Sequence, residues 1–183
     1  ANNRYIWVAI MNVGKLVKIA QSNITTNTAL VTLTGIDVVS PHFVVWDNVF
    51  FDSNSGLRIR VTSSGSPDTG TDYDYGRFRD YHDANDGGTG TINDNKFNFS
   101  QTNGTSTNNA NNGYMWLMNF ADSSKFSSVL AKVMNKNTAQ QRWGREIAGG
   151  FHSVAEANNG ISFFASDSNN IANGNFCLYR LVT

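Results

Sequence analysis

The sequence predicts an all-β protein, a two-sheet antiparallel β-sandwich of jelly-roll type. Apolar residues come in short bursts rich in Val, Ile, Phe, Tyr and Trp, the side chains that suit a pleated, half-buried surface. Between the bursts stand clusters of Asn, Ser, Thr and Gly, with 16 Gly and only 2 Pro in 183 residues, the composition of turns. About eight to ten such bursts recur, the pattern of a sandwich rather than of a helical domain. A single domain is expected over residues 14–183, long enough to bury a sizeable core.

Residues 1–13 stand apart from it. Tyr5, Ile6, Trp7, Val8, Ile10 and Met11 form a nearly continuous apolar run behind a polar start. The run is either the first buried strand or an arm that docks on a neighbouring subunit by adding to an open sheet edge.

Lys15 to Ala20 alternates only imperfectly. Ala29 to Thr34 has period two, with Ala29, Val31 and Leu33 on one face. His42 to Phe51 is β-branched and aromatic throughout and predicts a central strand buried on both faces. Leu57, Ile59 and Val61 alternate with Arg58 and Arg60, so the arginines are expected to face outward. Tyr73 to Tyr81 is a strand of aromatic and charged residues. Asp83 to Gly90 is expected as a loop, and Thr91 to Gly113 as a long polar surface excursion holding one short strand around Phe97 and Phe99.

Tyr114 to Phe120 predicts another buried strand. Ser123 to Lys136 alternates weakly and fits a strand better than helical turns, and Arg142 to His152 continues with small and aromatic residues. The chain closes on Gly160 to Ala165, a polar Asn/Ser/Gly segment, and Phe176 to Val182, which together predict two antiparallel strands joined by a loop, the last pinned inside a sheet. Asn103-Gly104, Asn112-Gly113, Asn159-Gly160 and Asn173-Gly174 are expected at tight turns.

Lys+Arg and Asp+Glu both number 14, so no basic face is expected to attract nucleic acid or an acidic membrane surface. No apolar run approaches the length of a membrane span, and no signal-peptide pattern is present. The single cysteine, Cys177, fits a reducing compartment and a buried, inert thiol.

Catalysis has little support. The chain lacks a Gly-x-Ser-x-Gly elbow, a phosphate-binding loop and a His-Glu-x-x-His helix. Any pair of carboxylates for glycoside hydrolysis would be an arbitrary choice. His42, His82 and His152 match no metal-ligand spacing, and neither metal nor cofactor is expected. The acidic stretch Asp80 to Gly88 offers oxygen ligands of the kind Ca²⁺ takes, yet it departs from the EF-hand pattern and equally describes an ordinary turn.

Tyr73, Tyr75, Arg77, Arg79 and Tyr81 have two readings. They are either a strand with an aromatic face in the core and an Arg/Asp face in water, or a glycan site in which rings stack on sugars beside hydrogen-bonding Arg and Asp.

Several of these stretches resemble one group of proteins. Ile161-Ser162-Phe163, a Ser/Asn/Gly loop, and Gly174-Asn175-Phe176-Cys177-Leu178-Tyr179 are similar to the ending of small structural proteins of tailed bacteriophage virions, whose last strand reads Gly-x-φ-x-Leu-Tyr-Gly-φ. Ala20 to Asn23, Ala29 to Ile36, Val44 to Val49, and Leu57 to Val61 with Tyr73 resemble the group's opening strands in order, so the likeness spans most of Lys18 to Val182. Arg180 stands where the group usually has Gly.

The resemblance implies a jelly-roll-like sandwich that assembles as a homotrimer and has no enzymatic activity. It further implies a capsid decoration or cement protein that binds the major capsid protein on the outer surface of the virion, after assembly in the host cytoplasm. In that setting Tyr5 to Met11 would dock on the shell or on a neighbouring subunit. The alternative within the group is a receptor- or carbohydrate-binding module of a head or tail fibre, using Tyr73, Tyr75, Arg77, Arg79 and Tyr81.

Overall fold

A computed structural model describes residues 14–83, 86–100, 105, 110–137 and 142–182. The run from Tyr5 to Met11 lies outside them. The described residues form thirteen strands: β1 (Lys15–Ile24), β2 (Leu30–Thr34), β3 (His42–Phe51), β4 (Leu57–Ser63), β5 (Ser66–Pro67), β6 (Tyr73–Tyr81), β7 (Gly87–Asp94), β8 (Phe97–Asn98), β9 (Asn111–Met118), β10 (Phe126–Asn137), β11 (Arg142–Ala155), β12 (Gly160–Ala165) and β13 (Ile171–Val182).

Two antiparallel sheets pack as a jelly-roll-like β-sandwich. The large sheet has the order β1-β13-β3-β9-β10-β11-β6-β7, and the small one β2-β12-β4-β5, with β8 also pairing to β4. Period two explains how the core fills. Val44 and Trp46 on β3, Met115 and Leu117 on β9, Val129, Ala131 and Val133 on β10, and Phe176 and Leu178 on β13 all point to one side of the large sheet. They meet Val31 and Leu33, Leu57, Ile59 and Val61, and Ile161 and Phe163 from the small sheet. Phe163 links the layers, its ring 5.8 Å from Trp46 and 5.0 Å from Phe176. Enclosing each ring of this size stabilises the fold by about 1.5–3 kcal/mol relative to leaving it in water.

Several expectations need correction. The two closing strands do not pair with each other. β12 lies between β2 and β4 in the small sheet, and β13 between β1 and β3 in the large one, so the chain crosses the sandwich between them and their aromatic faces meet in the core. The pinned end is nevertheless present, since β13 pairs along its length with β1 and β3. The imperfect alternation of Lys15 to Ala20 has a cause: β1 slips register against β13 between Lys18 and Ala20, which is what a β-bulge does.

The polar stretch after Tyr81 contains more structure than its composition implies. β7 begins at Gly87, where a loop was expected, and runs as an exposed edge strand against β6. Phe97 and Phe99 are fully enclosed and stack on each other at 5.2 Å. Asn159-Gly160 stands at the entry to β12 as expected, but the other two described Asn-Gly pairs are not turns. Asn112-Gly113 is inside β9 and Asn173-Gly174 inside β13, next to its register shifts against β3. Arg58 and Arg60 face away from the core but are half-buried. Arg60 lies 4.6 Å over the Phe164 ring and Arg58 donates to the Ser100 carbonyl.

Finally, β3 is central, yet only one of its faces is covered by the second sheet. Phe43 and Val45 on the opposite face remain partly open.

Candidate functional surface

The open side of the large sheet is the distinctive surface of the molecule. β10 carries apolar residues at both parities, Val129 and Val133 filling the core and Leu130 and Met134 facing out, while on β11 the large apolar residues Trp143, Ile147 and Phe151 all face out. Register arranges the outward set in rows across the strands. Tyr179, Phe43, Trp116 and Leu130 stand side by side on β13, β3, β9 and β10. The next row runs Cys177, Val45, Tyr114, Lys132, Ile147 and Phe78, reaching β6. Met134 follows, paired with Arg145.

Tyr114, Leu130, Met134, Ile147, Phe78 and Phe151 are each between 41% and 63% exposed. Phe43 holds the rings of Tyr114 and Trp116 at 5.6 and 4.7 Å. The first row continues past Leu130 as the glycines Gly149, Gly76 and Gly90, which leave a trough. Phe151 and Asp74 form one wall, and Ile147 and Phe78 the other.

Apart from Lys132 in the second row, charge on this face is largely internal. Arg145 donates from Nε to Asp80 Oδ2 at 2.6 Å, and Lys136 lies 5.0 Å over Trp143. By area the face is far from negligible. The seven strands from β13 to β7, at about 4.8 Å spacing and with three to four side-chain rows, give the whole face a footprint of about 600 Å², the size of the largest patches on monomer surfaces, which are often functional.

Tyr73, Tyr75, Arg77, Arg79 and Tyr81 do not lie on this surface. All five have the same parity on β6 and turn inward. Tyr73, Tyr75 and Tyr81 are buried, and burial together with the negative charge of Asp68 raises the Tyr73 phenol pKa far above its usual value. Thus the rings belong to the core, as one reading had it, but the arginines share their face instead of pointing into water. Beyond the cover of the small sheet that inner face becomes polar. Arg77 pairs at 3.3 Å with Glu146, which is fully buried and accepts from Asn135 Nδ2 at 2.7 Å. The large apolar residue facing out in this stretch is Phe78, which no expectation singled out.

The other expected sites resolve as follows. Asp80 is engaged by Arg145, and Asp86 accepts from the Tyr81 amide at 2.8 Å, so the described part of the acidic loop caps a turn. Cys177 is a free, half-buried thiol on the open face. His42, His82 and His152 are well separated along the fold, but His152 meets Asp68 and Asp72, whose ligand atoms and its own all lie within 4.8 Å of one another. Among the described residues no helix is long and apolar enough to cross a membrane.

Comparison of the chain with models of known protein families, with characterised proteins and with solved structures gives no match.

Proposed function

We propose that this chain is a non-enzymatic assembly protein whose open sheet face binds a second copy of itself. The observation that carries the reading is the apolar and aromatic face from Phe43 on β3 to Phe78 on β6, interrupted only by Lys132 in its second row. Two faces meeting over their full footprint, from β13 to β7, would together bury about 1,200 Å², the lower bound of a stable protein–protein interface. Equal numbers of acidic and basic residues and the internal Arg145–Asp80 pair let identical faces meet with little repulsion.

With the resemblance in strand pattern, this reading extends to a bacteriophage virion protein that decorates and cements the head shell; the homotrimer that the resemblance implies would use a further, heterologous contact, since two identical faces that meet close a dimer. The partner is then the major capsid protein on the outer surface, and residues 1–13 serve as a docking arm. Leu130→Glu combined with Ile147→Glu should convert the oligomer to a monomer in sedimentation velocity with an unchanged β-sheet circular dichroism spectrum. A monomeric wild-type chain, or a double variant that still assembles, would overturn the self-association. Deleting residues 1–13 should abolish binding to purified shells. Normal shell occupancy by the truncated chain would sink the arm.

The trough over Gly149, Gly76 and Gly90 favours one second reading, a fibre module that binds a host-surface glycan between Phe151 and Phe78. On a glycan array, specific binding that is lost in Phe151→Ala supports this alternative. A blank array leaves the assembly reading alone.

A further inference from the structure

We infer that Asp68, Asp72 and His152 form a binding site for one divalent transition-metal ion of the zinc class, with Glu156 orienting the histidine. Sequence spacing conceals the site, because the loop between β5 and β6 supplies the two aspartates and the far end of β11 supplies the histidine.

The histidine is the centre of the argument. His152 has no exposed surface, and its Nε2 stands 2.8 Å from Asp68 Oδ2. One ligand atom from each of Asp68, Asp72 and His152 falls within 4.8 Å of the others. Two ligands bound tetrahedrally to one zinc at 2.0–2.2 Å are about 3.3–3.6 Å apart. Admitting the ion would therefore need the Asp68–His152 contact to open by about 0.5–0.8 Å, with the Asp72 ligand atom, within 4.8 Å of both, settling to the same spacing.

The opposite side of the ring gives an independent indication. His152 Nδ1 has no hydrogen-bond partner and faces Glu156 Oε1 at 3.9 Å, itself buried and without a partner. With the ion bound, Nε2 would exchange its Asp68 contact for the metal and Nδ1–H would turn to this carboxylate, the kind of partner that orients metal-bound histidines.

Charge points the same way. Three carboxylates surround one imidazole, and among the described residues no Lys or Arg is ion-paired with any of them. A divalent cation supplies the missing positive charge. The imidazole ligand selects zinc-class ions over Ca²⁺ and Mg²⁺, which prefer all-oxygen cages.

The loop is already held in place. Gly70 N donates to Asp68 Oδ1 at 2.7 Å, Tyr73 donates its hydroxyl to the Asp68 carbonyl at 2.9 Å, and Ser153 donates from both its amide and its hydroxyl to the Asp72 carbonyl. A bound ion would tie the loop that leaves the edge of the small sheet to the end of β11 in the large one, so metal binding would couple directly to stability.

The test uses the full chain, freed of any affinity tag and stripped with chelator, titrated calorimetrically with ZnCl₂ and separately with CaCl₂. One zinc per chain is expected, with a melting temperature raised by about 5–10 °C at a hundredfold excess over the dissociation constant. Asp72→Asn, a conservative change in a half-buried loop, and His152→Gln should each weaken zinc binding at least tenfold, and Glu156→Gln about tenfold through the lost orientation. Should His152→Gln fail to fold, Asp72→Asn alone decides. No stoichiometric zinc in the wild-type chain, or wild-type affinity in Asp72→Asn, overturns the site. Calcium binding as tight as zinc overturns the metal class.

Discussion

His42 opens β3 with its side chain fully enclosed, and neither ring nitrogen has a well-formed hydrogen bond. Burial holds its pKa below the ordinary 6.5, and the nearby Arg180 charge acts in the same direction, while the Ser40 backbone and Asp37 offset only part of it. The folded state therefore keeps the ring neutral where the unfolded chain would protonate it. The sign follows: the contribution to stability is fully present above the unfolded value and is lost as pH falls below it toward the depressed folded value. Urea unfolding at about pH 7.5 and about pH 5 should show a larger loss of midpoint for the wild type than for His42→Gln. Equal losses would mean that the ring is not kept neutral by the fold.

At the scale of the strand, Gly113 and Gly76 make a controlled pair. Gly113 on β9 lies opposite Trp46, and a Cβ there would collide with the indole and with the Lys132 carbonyl, both fixed by the ladder. The indole cannot retreat, because its Nε1 donates to Asn111 Oδ1 at 2.6 Å in the core. Gly76, on the open face, would place a Cβ no nearer than 4.0 Å to the Thr89 carbonyl. Gly113→Ala should cost about 1–3 kcal/mol in chemical denaturation, and Gly76→Ala should stay within about 0.5 kcal/mol.

The same pair shows what the sequence conveyed. Strands with clean alternation, such as Leu57 to Thr62, were legible because period two leaves a direct imprint. Asn112-Gly113 looked like a turn because the letters cannot show an indole stacked above the glycine. β7 was hidden because an edge strand exposed on its outer side has no apolar face to display.

For the whole molecule, sequence revealed the sandwich but not the partition of strands between sheets, since β12 and β13 read alike whether they pair or face each other. It also could not distinguish an apolar face under a second sheet from one open to a partner. His42 to Phe51 and Tyr114 to Phe120 were read as buried, and half of that surface is the open face. The aspartate–histidine cluster was illegible for a different reason, as Asp68 and His152 are 84 positions apart and meet only through the topology.

The open face leads to a prediction about forces. Its attraction is hydrophobic, the chain is neutral, and its prominent charge pair is satisfied within one subunit. Self-association should then be nearly independent of ionic strength, the dissociation constant moving by less than about threefold between about 0.05 and 0.5 M NaCl. It should also weaken on cooling from about 25 to 4 °C, as apolar burial does. Sedimentation velocity over a concentration series measures both, and a tenfold loss of affinity in high salt would assign the contact to charged groups instead of the Phe43–Phe78 face.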